Sequence, residues 1–322
     1  MSAQQTSTAT RAMTTQTGGS DASGGGPRDT SSIPRRRPFR FGRWFFATGW
    51  RHVVGVIVTA FALLPLLFVF SASLNPKGTL TGSNALFSAI GLDSYARILT
   101  DPQVPYAAWF GNTLIIASIT AVSTVFLGAL AAYSFSRMRF TGRRFGLITI
   151  VVIQMFPQLL AVVAIFLLMS WIGDLFPGIG LNTRIGLIMV YLGGALGVNT
   201  YLMYGFFNTV PASIDEAAKI DGAGHARIFF TMILRLAAPI LAVVALLSFI
   251  TSVNEFVVAS VLLIDTEKQT LAVGLTKLVS NPRYADWSAF SAGAVMAALP
   301  VVALFLFLQK YIVSGLTAGS VK

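Results

Sequence analysis

The sequence predicts an all-α membrane protein with six transmembrane helices, on three observations. Of its 322 residues, 55% are hydrophobic and only 11% charged, with a mean hydropathy of +0.73, outside the usual range of soluble domains. Six apolar runs, near residues 53–74, 109–136, 145–170, 185–207, 236–256 and 289–311, each supply the roughly 20 helical residues that a hydrocarbon core requires. The basic residues between these runs are unevenly divided, as the positive-inside rule demands of a polytopic protein.

The chain begins with a segment of a different kind. Residues 1–34 are rich in Ser, Thr, Gly and Gln and nearly free of large apolar groups, so burial cannot offset the entropy of ordering them. Arg35, Arg36, Arg37, Arg40 and Arg43 then stand beside Trp44, Phe45, Phe46 and Trp50, which reads as an anchor at the membrane surface. A twin-arginine export signal is the competing reading, but the following apolar run is long and no A-x-A-like site closes it. The expected division is a disordered, basic cytoplasmic tail over 1–43 and a membrane domain over 44–322.

An even number of spans puts both termini on one side, and the 23 Lys and Arg residues choose that side. With the N-terminus inside, the outer segments hold only Lys77, Arg97, Arg184, Lys268, Lys277 and Arg283. Both ends are therefore expected in the cytoplasm. The same distribution explains the net charge of +11 without nucleic acid, for which no base-reading motif is present.

Several chemistries are excluded by what is missing from the sequence. There is no Cys, and only His52 and His225, so neither a disulfide framework nor a Cys/His metal cluster can form. The sequence contains no G-x-x-x-x-G-K-[ST], H-E-x-x-H or G-x-S-x-G, which leaves it without a phosphate-cradling loop, a zinc site or a nucleophile elbow. No cofactor is expected on this chain, and any ATP used must bind another polypeptide. No period of 20–50 residues and no inverted repeat is evident, which weighs against a repeat-built secondary transporter.

Polar and helix-breaking residues within the spans carry the remaining information. Pro65, Pro157, Pro239 and Pro300 each remove a backbone hydrogen bond and favour a kink. Asn112, Gln154, Gln158, Asn199 and Asn254 either bond between helices or line a hydrated path suited to a hydroxyl-rich solute. Glu255 is the one acidic residue in an expected span. Counted from Arg235 at about 1.5 Å per residue it lies near the outer boundary, solvated by an external vestibule rather than serving a proton relay.

Between the fourth and fifth spans the chain reads SIDEAAKIDGAGHARIFFTMILRLAAP, residues 213–239. Ser213 and Glu216 form an S-x-x-E capping box, Ala217 and Ala218 give a small, close-packing face, and Gly222 or Gly224 turns the chain into a second helix. This order resembles the EAA loop of bacterial ABC-importer permease subunits, with Glu216, Ala217, Ala218, Asp221 and Gly222 meeting the family pattern. Arg235 departs from it, standing where Pro is common, although Pro239 follows. The resemblance implies that Ser213, Glu216, Ala217, Ala218, Lys219, Asp221 and Gly222 dock on a cytoplasmic ATPase.

Beyond the loop, AYSFSRMRFTG (132–142), IQMFPQLLAVVAIF (153–166), QTLAVGL (269–275), AVMAALP (294–300) and GLTAGSVK (315–322) resemble MalG-type permease subunits of maltose/maltodextrin ABC importers. That resemblance covers about residues 53–322. It implies a multi-pass protein of the bacterial cytoplasmic membrane, set in lipid and importing a sugar. Its implied partners are a second homologous permease subunit, an ATPase homodimer holding ATP and Mg, and an extracytoplasmic sugar-binding protein. The outer loop with Asp265, Thr266, Glu267, Lys268 and Gln269 would face that binding protein. The tail with Gly315, Leu316, Thr317, Ala318 and Gly319 would lie at the ATPase interface. An ion-coupled secondary transporter is the alternative, and it needs a charged site near the midplane that the spans lack.

The orientation can be tested directly in this cysteine-free chain. Lys268→Cys is expected to react with a membrane-impermeant maleimide in intact cells stripped of their outer barriers. Reaction only after permeabilisation would invert the topology.

Overall fold

A computed structural model describes residues 45–76, 86–280 and 285–318; the tail expected over 1–43 lies outside the described residues. Among the described residues the chain divides into two units at the boundary between Val58 and Thr59. A π turn, Phe45–Gly49, precedes helix α1, Trp50–Ser73. From Trp50 to Phe68 every residue of α1 is exposed, as an apolar helix can be when its surroundings are hydrocarbon rather than water.

Among the described residues four unbroken helices are long and apolar enough to cross a membrane, and two bent pairs bring the number to six if each is one span. The unbroken ones are α1, α3 (Tyr106–Arg137), α6 (Arg184–Phe207) and α12 (Trp287–Ala318), with the short α2 (Asp93–Thr100) before α3. Pro65 and Pro300 lie inside α1 and α12 without ending them.

The third span differs from the continuous run expected over 145–170. It is split into α4 (Arg143–Gln154) and α5 (Gln158–Leu175), whose axes meet at 101°. Pro157 explains the break: it lacks an N–H and disfavours helical backbone at Phe156.

The helix-turn-helix forms as α7 (Ala212–Ile220) and α8 (His225–Leu236), the latter with a π-helical stretch at Phe229–Ile233. A 78° bend at Ala237 then leads into α9, Ala238–Asn254, the fifth span. Pro239 sits in the first turn of α9, where its missing N–H costs nothing. The bend therefore falls beside Pro239, and Arg235 remains helical. The segment after the fifth span, expected as a loop, holds α10 (Val257–Leu262), a 3-10 turn (Thr266–Lys268) and α11 (Leu271–Ser280).

Helix α3 is the centre of the second unit. It packs along α6 and α9, and α9 packs in turn on α12. Thr113, Ala117, Ala121, Gly128 and Ala132 on α3 are all buried. With Thr124, also buried, they recur every three or four residues and make a ridge of small side chains, which lets backbones approach closely in a medium where burying apolar area gains little. At 32 residues, α3 is about 48 Å long, longer than the hydrocarbon core is thick, so both of its ends emerge from it.

One end of α3 supports the cap built from α10, α11 and the turn between them. The Trp109 indole N–H donates to the Thr266 carbonyl at 2.7 Å. Asn112 donates through its amide to the carbonyls of Glu267 at 2.8 Å and Gln269 at 3.0 Å, and accepts from Arg184 Nε at 2.8 Å. Gly274 of α11 lies against the indole face, so closely that a Cβ there would stand 2.2 Å from Trp109 Cδ2.

Gly274→Ala should therefore overpack this contact and destabilise the protein by about 1–3 kcal/mol. Gly205→Ala, where a Cβ meets nothing within 4 Å, should be neutral or slightly stabilising. Thermal unfolding of the two variants in the same detergent checks the contrast, and equal midpoints would refute the packing assigned to Gly274.

Candidate functional site

The turn between α7 and α8 is closed by a complete Schellman motif. The Gly222 N–H donates to the Lys219 carbonyl at 3.0 Å and the Ala223 N–H to the Ala218 carbonyl at 2.9 Å. Gly222 has φ of +80°, left-handed backbone that favours glycine. A Cβ at Gly222 would meet nothing within 4 Å, so within this chain the requirement is conformational and not one of space.

Two local expectations for this loop are corrected. The capping box is absent: α7 begins at Ala212, directly after Pro211, and no side chain caps it. Pro211 leads into the helix two residues early, which leaves Ser213 inside the first turn and Glu216 exposed. Ala217 and Ala218 do not share a face, since successive helical residues point about 100° apart. Ala217 is exposed, whereas Ala218 is buried against Val210, Ile228 and Phe229. The outward face of the loop carries Ser213, Glu216, Ala217, Lys219, Asp221 and Gly222.

What fixes this loop was not anticipated from the sequence. Asp215 Oδ2 pairs with Arg137 Nε, at the end of α3, at 2.6 Å; the two side chains are only 8% and 11% exposed. Arg137 also donates through Nη2 to the Val210 carbonyl at 2.8 Å, and Ser136 Oγ donates to Asn208 Oδ1 at 2.8 Å. Tyr133 and His225 approach to 3.3 Å. The available signal was the pairing of Asp215 with Ala218 on one face of α7, which directs a charge inward and so requires a partner.

A cavity of about 370 Å³ lies among α4, α6 and α9, lined by Gln154, Tyr191, Asn199, Ser248, Ser252 and Glu255 beside apolar Val198 and Leu247. Three of the expected pathway residues meet there. Gln154 donates to the Gly194 carbonyl at 2.9 Å, and Asn199 to the Ala195 carbonyl at 2.8 Å and Ser248 Oγ at 3.2 Å.

Glu255 differs from its expected solvated position. It is half-buried in the break between α9 and α10, accepting from the Tyr191 hydroxyl at 2.6 Å and from the N–H groups of Val258 and Ala259 at 2.8 and 2.9 Å. These bonds satisfy donors freed where the helix is interrupted. Asn112 leaves the set, because it is buried and holds the cap. Asn254 is exposed at the end of α9 and is not among the cavity residues. The Gln158 side chain lies outside the described residues.

In the cap, Asp265, Thr266, Glu267 and Lys268 are exposed, but Gln269 is buried and donates to the carbonyls of Leu263 and Ile264. Gln269 therefore does not belong to the outer contact face. Asn182, in left-handed backbone with φ of +60°, accepts from the N–H groups of Ile264 and Asp265 and donates to the Asp265 carboxylate. That bond, with Lys268 at 3.1 Å, holds the Asp265 carboxyl below the ordinary carboxylate range. At the other terminus α12 runs through Gly315, Leu316, Thr317 and Ala318, while Gly319 lies outside the described residues.

Comparison with known proteins adds the family. Residues 124–318 match the family of binding-protein-dependent transport system inner membrane components. The maltodextrin transport system permease protein MdxG of Bacillus subtilis is 41% identical over 81% of this chain and 91% of its own length. The maltose/maltodextrin transport system permease protein MalG of Escherichia coli is 39% identical over 84% of this chain and 94% of its own. A crystal structure of a bacterial ABC transporter involved in import of the acidic polysaccharide alginate aligns with a TM-score of 0.70 at 26% identity, covering 85% of this chain and 99% of that one.

The ion pair under the loop yields a stability test. Asp215→Ala leaves Arg137 charged and without its carboxylate partner at a side chain only 11% exposed, at a cost of at most about 3–5 kcal/mol, since a polar cavity borders the pair. The double replacement Arg137→Met with Asp215→Leu should recover most of it, because apolar isosteres fill such sites at little or no cost. Thermal unfolding in detergent reads both, and a single variant as stable as the parent would show that the pair carries no weight.

Proposed function

The chain belongs to the family of binding-protein-dependent transport system inner membrane components, and on that premise we propose that it conducts a maltodextrin-like sugar across the membrane by alternating access. It is a multi-pass inner membrane permease. Its partners are a second homologous permease, an ATPase homodimer that holds ATP and Mg, and an extracytoplasmic sugar-binding protein. The relatives named as maltose and maltodextrin permeases support the sugar class. Trehalose or another oligosaccharide is the alternative within the same reading. Both termini lie in the cytoplasm, on the side of the α7–α8 loop.

The observation that carries the mechanism is the bolting of this loop to α3. The Arg137–Asp215 pair and the packing of Ala218, Ile228 and Phe229 against Tyr133 and Phe207 join the loop to the spans. When the ATPase dimer closes on ATP, movement of the docked loop passes into α3 and the helices packed on it, changing the side to which the cavity opens. Amide and hydroxyl groups of Gln154, Asn199, Ser248 and Ser252 offer hydrogen bonds to sugar hydroxyls, and Val198 and Leu247 offer apolar surface to the ring faces.

The tail with Gly315, Leu316, Thr317, Ala318 and Gly319 contacts the ATPase. The cap face with Asp265, Thr266, Glu267 and Lys268 meets the binding protein. A solved relative of the same fold is an alginate ABC transporter in complex with an alginate pentasaccharide-bound periplasmic protein, with a TM-score of 0.60 at 16% identity.

Gly222→Trp replaces a residue in left-handed backbone on the docking face. It should leave the spans inserted, with Lys268→Cys still labelled from outside, but abolish co-purification of the ATPase and uptake of labelled maltodextrins. Glu216→Ala should weaken both without lowering the unfolding temperature, because Glu216 caps nothing in α7. Normal ATPase binding and uptake in Gly222→Trp would overturn the docking role, and uptake that persists without the ATPase would point to an ion-coupled carrier.

A further inference from the structure

The segment from Arg137 to Arg144 concentrates positive charge at one membrane boundary. Two adjoining cavities share Arg143. The first, of about 610 Å³, is lined by Arg137, Arg139, Lys219, Asp215 and Glu216 among others. The second, of about 570 Å³, is lined by Phe140, Gly142, Arg143, Arg144, Leu147 and Tyr204. Asp215 neutralises Arg137. Among the described residues no ion pair neutralises Arg139, Arg143, Arg144 or Lys219, and Glu216 is the one other carboxylate lining either cavity. Among the described residues Arg143 donates to the Tyr204 hydroxyl at 3.4 Å, with the guanidinium 5.9 Å from the ring.

The local helix makes this charge more costly. Arg143 and Arg144 are the first two residues of α4, after Gly142 with φ of +89°, and neither a side-chain cap nor an acidic residue occupies that end. The positive end of the helix dipole favours anions, so two arginines in its first turn leave a field that calls for a negative partner. Directly beyond them, Phe145, Ile148 and Val152 are 75%, 54% and 58% exposed. Their spacing of three and four puts them on one face of α4, an apolar stripe that starts at the arginines and runs into the membrane.

We propose that this end of α4 binds an anionic phospholipid, its phosphate held by Arg143 and Arg144 with Arg139 at the rim, and its acyl chains along Phe145, Ile148 and Val152. Charge alone would suit a soluble phosphate equally. The continuous apolar stripe selects the lipid, because only a molecule with both parts fills both surfaces. The inference rests on the membrane placement of α4 and not on which sugar is carried.

The test uses the full chain in phosphatidylcholine vesicles, with Phe145→Trp as a local reporter and the chain without that Trp as the fluorescence background. Brominated phosphatidylglycerol should quench this Trp at a several-fold lower mole fraction than brominated phosphatidylcholine. Arg143→Gln with Arg144→Gln should abolish that preference, since each arginine near an anionic surface is worth about fivefold. Labelling of Lys268→Cys confirms insertion of the variant. If the double variant does not insert, Arg144→Gln alone, which keeps Arg137, Arg139 and Arg143 in place, should still lower the preference at least twofold. Equal quenching by the two lipids in the parent, or a preference unchanged by these substitutions, would overturn the proposal. Loss of the preference on adding inorganic phosphate at constant ionic strength would assign the site to a soluble anion and overturn the lipid.

Discussion

The ion pair between Arg137 and Asp215 is the constraint around which the rest of the molecule is arranged. It joins the last residue of α3 to the fourth residue of α7, and so ties the central spanning helix to a loop outside the hydrocarbon. Water reaches neither side chain freely, so separating them would leave two charges where solvation is poor. That penalty makes the connection stiff. A loop held only by apolar contact could slide over the helix ends, whereas one held by a buried ion pair and the Arg137 bond to Val210 moves with α3.

The opposite end of α3 is tied just as firmly by a different chemistry. Asn112 and Trp109 satisfy backbone carbonyls of the turn after α10, and Thr113 Oγ1 accepts from the Leu271 N–H at 2.7 Å. These are neutral bonds to backbone, suited to holding an irregular segment whose carbonyls would otherwise lack partners. A single helix therefore carries the loop at one end and the cap at the other. Its row of small residues lets α6 and α9 lie close enough to follow it.

How much of this was legible in the sequence depends on the range of the interaction responsible. The spans were readable because about 20 apolar residues in a row have few alternatives. The turn at Gly222 was readable because left-handed backbone selects glycine within a few residues. The break at Pro157 was readable as a kink, but its size was not, since the 101° angle is set by what the two halves pack against. Arg137 and Asp215 are brought together only by the fold, and a lone acidic residue beside the more familiar Glu216 gave no pairing signal beyond its inward face. Asn112 looked like a pathway residue because polarity in a span has two explanations, and only its neighbours decide between them. The capping box failed because Pro211 set the start of α7 two residues earlier than an N-cap at Ser213 requires.

The cavity follows from the same interruptions. Gln154 is the last residue of α4 before the break at Pro157, and Glu255 stands in the break between α9 and α10. Interrupting a spanning helix frees backbone groups that need partners, and in each case a polar side chain stands at the interruption and also lines the cavity. Tyr191 and Asn199 on the unbroken α6 complete the polar lining. Two of the polar groups that line this cavity thus stand where broken helices already require partners, which places them beside the elements whose joints can bend.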